Sequence, residues 1–195
     1  MHPRKAIRAK VVQLLSTPDV DDNYPTAAGA RVHASRVFHH RKGDLPVISV
    51  YTLEETVDAD SQQTAPRELT RRVALVIEGW VKAEPAAPGA QPNADNALDD
   101  LAEEIEAVMH ADPYLGDEAG DSILTDTDTE MVEGGGEMMG LLIMTYSVTY
   151  RTYAPETSGV VRDDFLTVSA EHNQGGTQDT DDAAHDDFTV QEVTP

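Results

Sequence analysis

The stretch Met139-Gly-Leu-Leu-Ile-Met-Thr-Tyr-Ser-Val-Thr-Tyr-Arg-Thr152 constrains the fold more than any other part of the chain. Leu142, Met144, Tyr146, Val148 and Tyr150 recur at every second position. Thr145, Ser147 and Thr149 fall between them, after Leu141 and Ile143. Side chains of an extended backbone point alternately to its two sides, so the pattern predicts a long strand with one buried face. Tyr146 and Tyr150 are expected in the core, and Tyr153 at an interface where one end of the ring stays wet.

The rest of the first 152 residues supplies partners for that strand. Pro3 fits the first turn of a helix, where its missing N–H removes nothing. Ile7, Val11, Leu14 and Leu15 then recur at helical spacing until Ser16-Thr-Pro18 ends the pattern. After a polar loop over 19–30, Arg31–His39 alternates Val32, Ala34, Arg36 and Phe38 with His33, Ser35 and Val37, a strand pattern. Leu45-Pro46 opens a second strand, Val47–Leu53, with proline at the start where no ladder donor is needed. The acidic and polar residues 54–66 read as a connection. Arg71–Lys82 reads as a third strand with Val73, Leu75, Ile77 and Val81 on one face. Trp80, the only tryptophan, lies on the other with Ala74, Val76 and Glu78, a face that covers a helix or a neighbouring subunit.

Glu84–Pro92, with three prolines, reads as an irregular loop. Leu98, Leu101, Ala102, Ile105, Val108 and Met109 mark the buried stripe of a second helix, capped by Asn93 or Asp95 and stopped by Asp112-Pro113. In 121–133, Ile123, Thr125, Thr127, Thr129 and Met131 alternate with Leu124, Asp126, Asp128, Glu130 and Val132. Gly134-Gly-Gly136 then turns the chain back into the strand 138–152, a hairpin. The predicted class is α+β: an antiparallel or mixed sheet packed against two helices, over residues 1–152. Residues 153–195 form a long acidic C-terminal arm of a composition that is normally disordered. Its patterned segments are Phe165–Val168 and Phe188–Val190.

Charge narrows the partners. Thirty-six acidic against 14 basic residues give a net charge of −22. Residues 1–42 hold eight Lys/Arg against three Asp, a net of +5, whereas 153–195 hold ten carboxylates against Arg162, a net of −9. Tight phosphate binding needs clustered cations, so DNA wrapping is not expected. Passage of DNA past a repelling surface is compatible with this field. The absence of cysteine removes disulfides, thiolate catalysis and cysteine-based metal sites. No apolar run approaches the roughly 18 residues of a membrane span, and Met1-His-Pro-Arg-Lys5 lacks the apolar segment of a signal peptide. The expected compartment is a cytoplasm.

Catalytic signatures are weak. His33, His39 and His40 form the only histidine group, and adjacent positions on a strand point His39 and His40 apart. Asp126, Asp128 and Glu130 share one strand face, and Asp179, Asp181, Asp182, Asp186 and Asp187 cluster near the end. Calcium asks for six to eight oxygens and a loop folded around it, which a strand does not offer. Gly134–Gly136 neither follows a buried parallel strand nor opens a helix, so it is no phosphate cradle. No Gly-x-Ser-x-Gly elbow occurs. No enzyme, cofactor or metal site is expected.

The order of elements resembles the tail-terminator proteins of long-tailed bacteriophages, the group that includes the minor tail protein capping the lambda-type tail tube. The matching pieces are the helix Pro3–Leu15, the strand opened by Leu45-Pro-Val-Ile-Ser-Val-Tyr-Thr52 and the strand ending in Ile77-Glu-Gly-Trp80. The acidic helix Leu98-Asp-Asp-Leu-Ala-Glu-Glu-Ile-Glu-Ala-Val-Met109 and the strand ending in Leu-Leu-Ile-Met-Thr-Tyr-Ser-Val-Thr-Tyr150 complete the set. The resemblance covers about residues 1–152; the compact versions lack the tail after Tyr153. It implies a ring-forming subunit of the virion neck, usually a hexamer. Such a ring caps the tail-tube protein, stops its polymerisation and meets the head-side connector, while genomic DNA passes through. Trp80, Tyr153, Phe165, Leu166, Val168, Phe188 and Val190 are then the expected interface residues, the arm adding a strand to a neighbour. Asp126, Asp128 and Glu130 are the expected acidic lumen face. A head-completion or stopper protein of the connector is the nearest alternative. A small acidic metal-dependent enzyme built on Asp126, Asp128 and Glu130 is a more distant one.

Overall fold

The computed structural model describes residues 2–34, 44–58, 68–85, 92–134, 137–153, 167–169 and 187–189. The first helix, α1 (Pro3–Ser16), starts with His2 Nδ1 accepting the Arg4 backbone N–H at 3.3 Å. It buries Ile7, Val11 and Leu15 completely. A loop tied to both helices follows: Thr26 Oγ1 donates to the Leu15 carbonyl at 3.3 Å, and Glu104 Oε2 accepts the Ala27 N–H at 2.7 Å.

Strand β1 (Val32–His33) pairs with β2 (Val47–Val57), which pairs with β3 (Glu68–Lys82). The short strands β4 (Glu84–Pro85) and β5 (Pro92–Asn93) pair with each other and lead into α2 (Asp95–Ala111). Strands β6 (Asp121–Gly134) and β7 (Glu137–Tyr153) form the predicted hairpin, with residues 135 and 136 outside the described set. The five-stranded order is β1-β2-β3-β7-β6. The sheet is mixed, because β1 runs parallel to β2 while every other pairing is antiparallel. Central strands β3 and β7 pair without interruption from Glu68↔Tyr153 to Lys82↔Met139.

Both helices cover one face. Ile48 and Val50 of β2, Val73, Leu75, Ile77 and Val81 of β3, and Leu142, Met144, Tyr146, Val148 and Tyr150 of β7 join the helical stripes in one buried cluster. The alternation that predicted β7 is therefore the alternation that builds the core. Burial of this apolar surface is the dominant favourable contribution to the fold. Close approach of α2 is set by two glycines. A Cβ on Gly79 would lie 2.7 Å from Leu101 Cδ2, and one on Gly140 would lie 2.7 Å from Ala94 Cβ.

Four local readings are corrected. Residues 54–57 extend β2 beyond Leu53, and Glu68–Thr70 extend β3 upstream, despite their polar composition. The ends of the Glu84–Pro92 loop pair, Glu84↔Asn93 and Pro85↔Pro92. Helix α2 has Ala94 at its N-cap; Asn93 Oδ1 instead accepts the Asp95 N–H at 2.8 Å, one residue early. In β6 a bulge at Thr125 breaks the alternation, so Ile123 shares a face with Asp126, Asp128 and Glu130, and Leu124 with Thr127 and Thr129.

The chain divides into two compact units, Met1–Ala154 and Pro155–Pro195. Tyr153 pairs with Glu68 and so ends β7 in the first. In the second, β8 (Thr167–Ser169) and β9 (Asp187–Thr189) pair antiparallel, placing Val168 opposite Phe188. Phe165, Leu166 and Val190 lie outside the described residues, as do His39, His40, Asp179, Asp181, Asp182 and Asp186.

Candidate functional site

The helices leave the opposite face of the sheet to carry its surface chemistry. Strand register sorts that face into cross-strand rows. Val47, Trp80, Leu141 and Glu130 form one row. Ser49, Glu78, Ile143 and Asp128 form the next, and Tyr51, Val76, Thr145 and Asp126 the third. In each row the β6 position is an exposed carboxylate, whereas Val47, Ser49, Val76 and Leu141 on the other strands are buried. Trp80 and Glu130 flank Leu141 two strands apart, roughly 10 Å across the ladder.

Glu78 organises the middle of this face. Its Oε1 accepts the Trp80 indole N–H at 2.6 Å and its Oε2 accepts the Tyr51 hydroxyl at 3.0 Å. One half-buried carboxylate thus holds two aromatic side chains in set positions. Trp80 lies on the face away from α1 and α2.

Asp126, Asp128 and Glu130 are all exposed on β6, the outermost strand. Hydrogen bonding with Asp128, and then its charge, raise the Asp126 carboxyl above the ordinary value. Two carboxyls can share a hydrogen bond only when one keeps its proton, and the like charge beside it acts in the same direction. Asp128→Asn is expected to return Asp126 toward the ordinary carboxylate value, read by NMR titration of the side-chain carboxyl. An unmoved Asp126 titration would show that the two groups do not interact. Among the described residues no group of three or more His, Asp or Glu is arranged to hold a metal ion, and no helix is long and apolar enough to cross a membrane.

No protein-family model and no curated protein matches the chain.

A second constellation, absent from the sequence reading, joins α1 to the sheet. The Glu55 side chain, only 12% exposed, takes Arg71 Nη1 on Oε1 at 2.6 Å. Its Oε2 accepts the Tyr150 hydroxyl at 2.6 Å and faces Arg4 Nε at 3.2 Å. Arg71 Nε donates to Thr152 Oγ1 at 2.9 Å, and Arg8 Nη1 to Thr52 Oγ1 at 2.8 Å. Burial works to raise the Glu55 carboxyl, but hydrogen bonds from Tyr150 and Arg71 and the charges of Arg4 and Arg71 outweigh it, holding it below the ordinary value. Burial first, and the bond to Glu55 second, push the Tyr150 hydroxyl up to about 12. Strand parity carried the available signal: Arg71 falls on the core face with Val73 and Leu75, where a cation needs a carboxylate.

Of the residues singled out from sequence, the structure places Trp80 in the same row as Glu130 and on the face shared with Asp126 and Asp128. Tyr153 stands apart at the end of β7, 73% exposed. Val168 and Phe188 belong to the separate C-terminal unit.

Proposed function

We propose that this chain is a structural subunit of a phage neck, forming a ring, a hexamer in the resembled family, that caps the tail tube and joins it to the head connector. The observation that carries this reading is the long outer strand of the sheet. Helices cover one face, and the other carries a fixed Trp80–Glu78–Tyr51 group. The 14-residue strand β6 pairs only with β7 among the described residues. A long exposed strand edge is a liability in an isolated molecule and is managed either by charge or by a neighbour. A head-to-tail contact that closes on itself gives a ring and leaves no edge exposed.

The sequence resemblance supports the same reading, and so does charge. A passage lined by carboxylates of a subunit with net charge −22 repels phosphate. Sliding DNA would not be held. Function in this reading is geometric: one face of the ring matches tube protein, the other does not, and growth stops. No bond-making step is involved.

Particles assembled without this protein provide the test. Overlong tails are the expected result; tailless heads that leak DNA would reassign the chain to a connector stopper, and normal particles would overturn the neck role. A chain ending at residue 153 is expected to complete fewer particles, because the arm with Phe165, Leu166, Val168, Phe188 and Val190 would be missing. Full particle yield from that truncation would remove the arm from the assembly.

A further inference from the structure

The two helices on the covered face of the sheet carry opposite charge. Helix α1 holds Arg4, Lys5, Arg8 and Lys10 with no carboxylate, whereas α2 is rich in carboxylates and holds neither Lys nor Arg. Each helix also exposes a row at four-residue spacing: Lys5, Ala9 and Gln13 on α1, and Glu103, Ala107 and Ala111 on α2. The α2 row lines an open groove of about 660 Å³, apolar at Pro25, Ala107, Val108 and Ala111 and acidic at Asp100 and Glu103. A third carboxylate in its lining, Glu104, is already taken by the Ala27 N–H. Among the described residues Lys5, Asp100 and Glu103 have no ion-pair partner.

We infer that the groove beside α2 receives the exposed row of α1 from a second copy of this chain, the two helices running parallel. The inference rests on the ring reading and specifies one of its contacts. Register carries it first. In a parallel pairing Lys5 meets Glu103, Ala9 meets Ala107 and Gln13 meets Ala111, each step about 6 Å along the helix axis. An antiparallel pairing would set Gln13 against Glu103 and leave Lys5 on Ala111. Charge comes second: a cationic helix meets an anionic groove, which favours this pairing over α1 on α1 or α2 on α2. Packing comes third, since alanine facing alanine lets two helices approach closely and covers the apolar lining. The residues offered are not those the fold already uses, because α1 is held on the sheet by Arg4 and Arg8, bound to Glu55 and Thr52. Helix α1 packs on β1 and β2, and α2 on β3 and β7. A copy docked through its α1 therefore still offers its own groove to the next copy, which is the property a closing head-to-tail ring needs.

Exchanged charges in the full-length chain test the contact. One variant carries Asp100→Lys and Glu103→Lys; the other carries Lys5→Glu. All three positions are exposed, so both chains are expected to keep the wild-type circular-dichroism spectrum. Sedimentation at low salt is expected to show each variant alone self-associating about tenfold more weakly than wild type. An equimolar mixture is expected to recover wild-type assembly, because alternating copies restore opposite charges at every contact. Asp100→Asn with Glu103→Gln, neutral and close in shape, is expected to weaken association in the same direction and stands in for a reversed chain that fails to fold. Ala107→Glu separates packing from charge: it adds an anion near the neighbour's cation but fills the groove, and is expected to weaken association about tenfold. Stronger association of Ala107→Glu would show that the helices do not seat on each other and would overturn the contact. If the α2 variant assembles like wild type, the contact is wrong and the ring reading stands. If it assembles like wild type but no longer binds tail-tube protein, the groove serves that protein and the second-copy contact is likewise overturned. If wild type stays monomeric both alone and on tail-tube protein, the ring reading falls and takes the contact with it.

Discussion

Gly140→Ala is expected to destabilise the protein by about 3 kcal/mol, lowering the thermal midpoint by about 3 °C per kcal/mol for a chain of this size. The sign is the informative part. Glycine inside a strand is ordinarily the weaker choice, by roughly 0.5–1 kcal/mol relative to alanine, so the substitution would stabilise an open position. Here an added Cβ would meet Ala94 Cβ at 2.7 Å, Val81 Cγ2 at 2.9 Å and Leu98 Cδ1 at 3.0 Å. Ala94 is the N-cap residue of α2, and a methyl attached directly to backbone cannot rotate away. The helix start must lift off β7. Gly79→Ala is the control: its Cβ would lie 2.7 Å from Leu101 Cδ2, the end of a side chain that can change rotamer. Its expected loss is about 1 kcal/mol. Thermal unfolding followed by circular dichroism separates the two, and equal midpoints for Gly140→Ala and wild type would show that α2 does not seat as closely as the geometry gives.

The contrast between these glycines and the strands around them shows what a sequence discloses. Strand β7 was legible because its alternation continues for ten residues and Leu142, Met144, Tyr146, Val148 and Tyr150 all enter the one buried cluster. The stripes of α1 and α2 were legible for the same reason, since periodicity reports a continuous boundary between core and water. Features decided by a partner strand were not. The bulge at Thr125 depends on how β6 meets β7, so residues 121–124 changed faces without any local signal. The polar run Glu54–Val57 resembled a loop because its pairing with Arg71 and Arg72 is invisible until β2 and β3 are aligned. The row joining Trp80, Leu141 and Glu130 needs three strands in register, and no single segment contains it.

Glu55 presents the same problem in its strongest form, a charged residue in an apparently solvated run that proves to be the hub of a half-buried network. Glu55→Ala is expected to cost about 3 kcal/mol, because it strands the Arg71 guanidinium and the Tyr150 hydroxyl together. Glu55→Gln keeps an acceptor for Tyr150 while removing the charge, so its loss should be about half as large. The pH dependence carries a second check. The folded Glu55 carboxyl is held below its ordinary value of 4.5, so its contribution is complete above that pH and disappears as pH falls through the folded value. Tyr150 acts at the other end: raised from 10.0 to about 12, it contributes fully below pH 10 and is lost as pH rises toward 12. Urea midpoints measured between pH 3 and pH 11 should thus fall on both sides for wild type. In Glu55→Gln the acid limb should flatten, and the alkaline limb should shrink, because the Glu55 charge no longer opposes ionisation of Tyr150. An acid limb of unchanged steepness in Glu55→Gln would place the responsible carboxylate elsewhere and reduce the Arg4–Glu55–Arg71 cluster to a surface pairing.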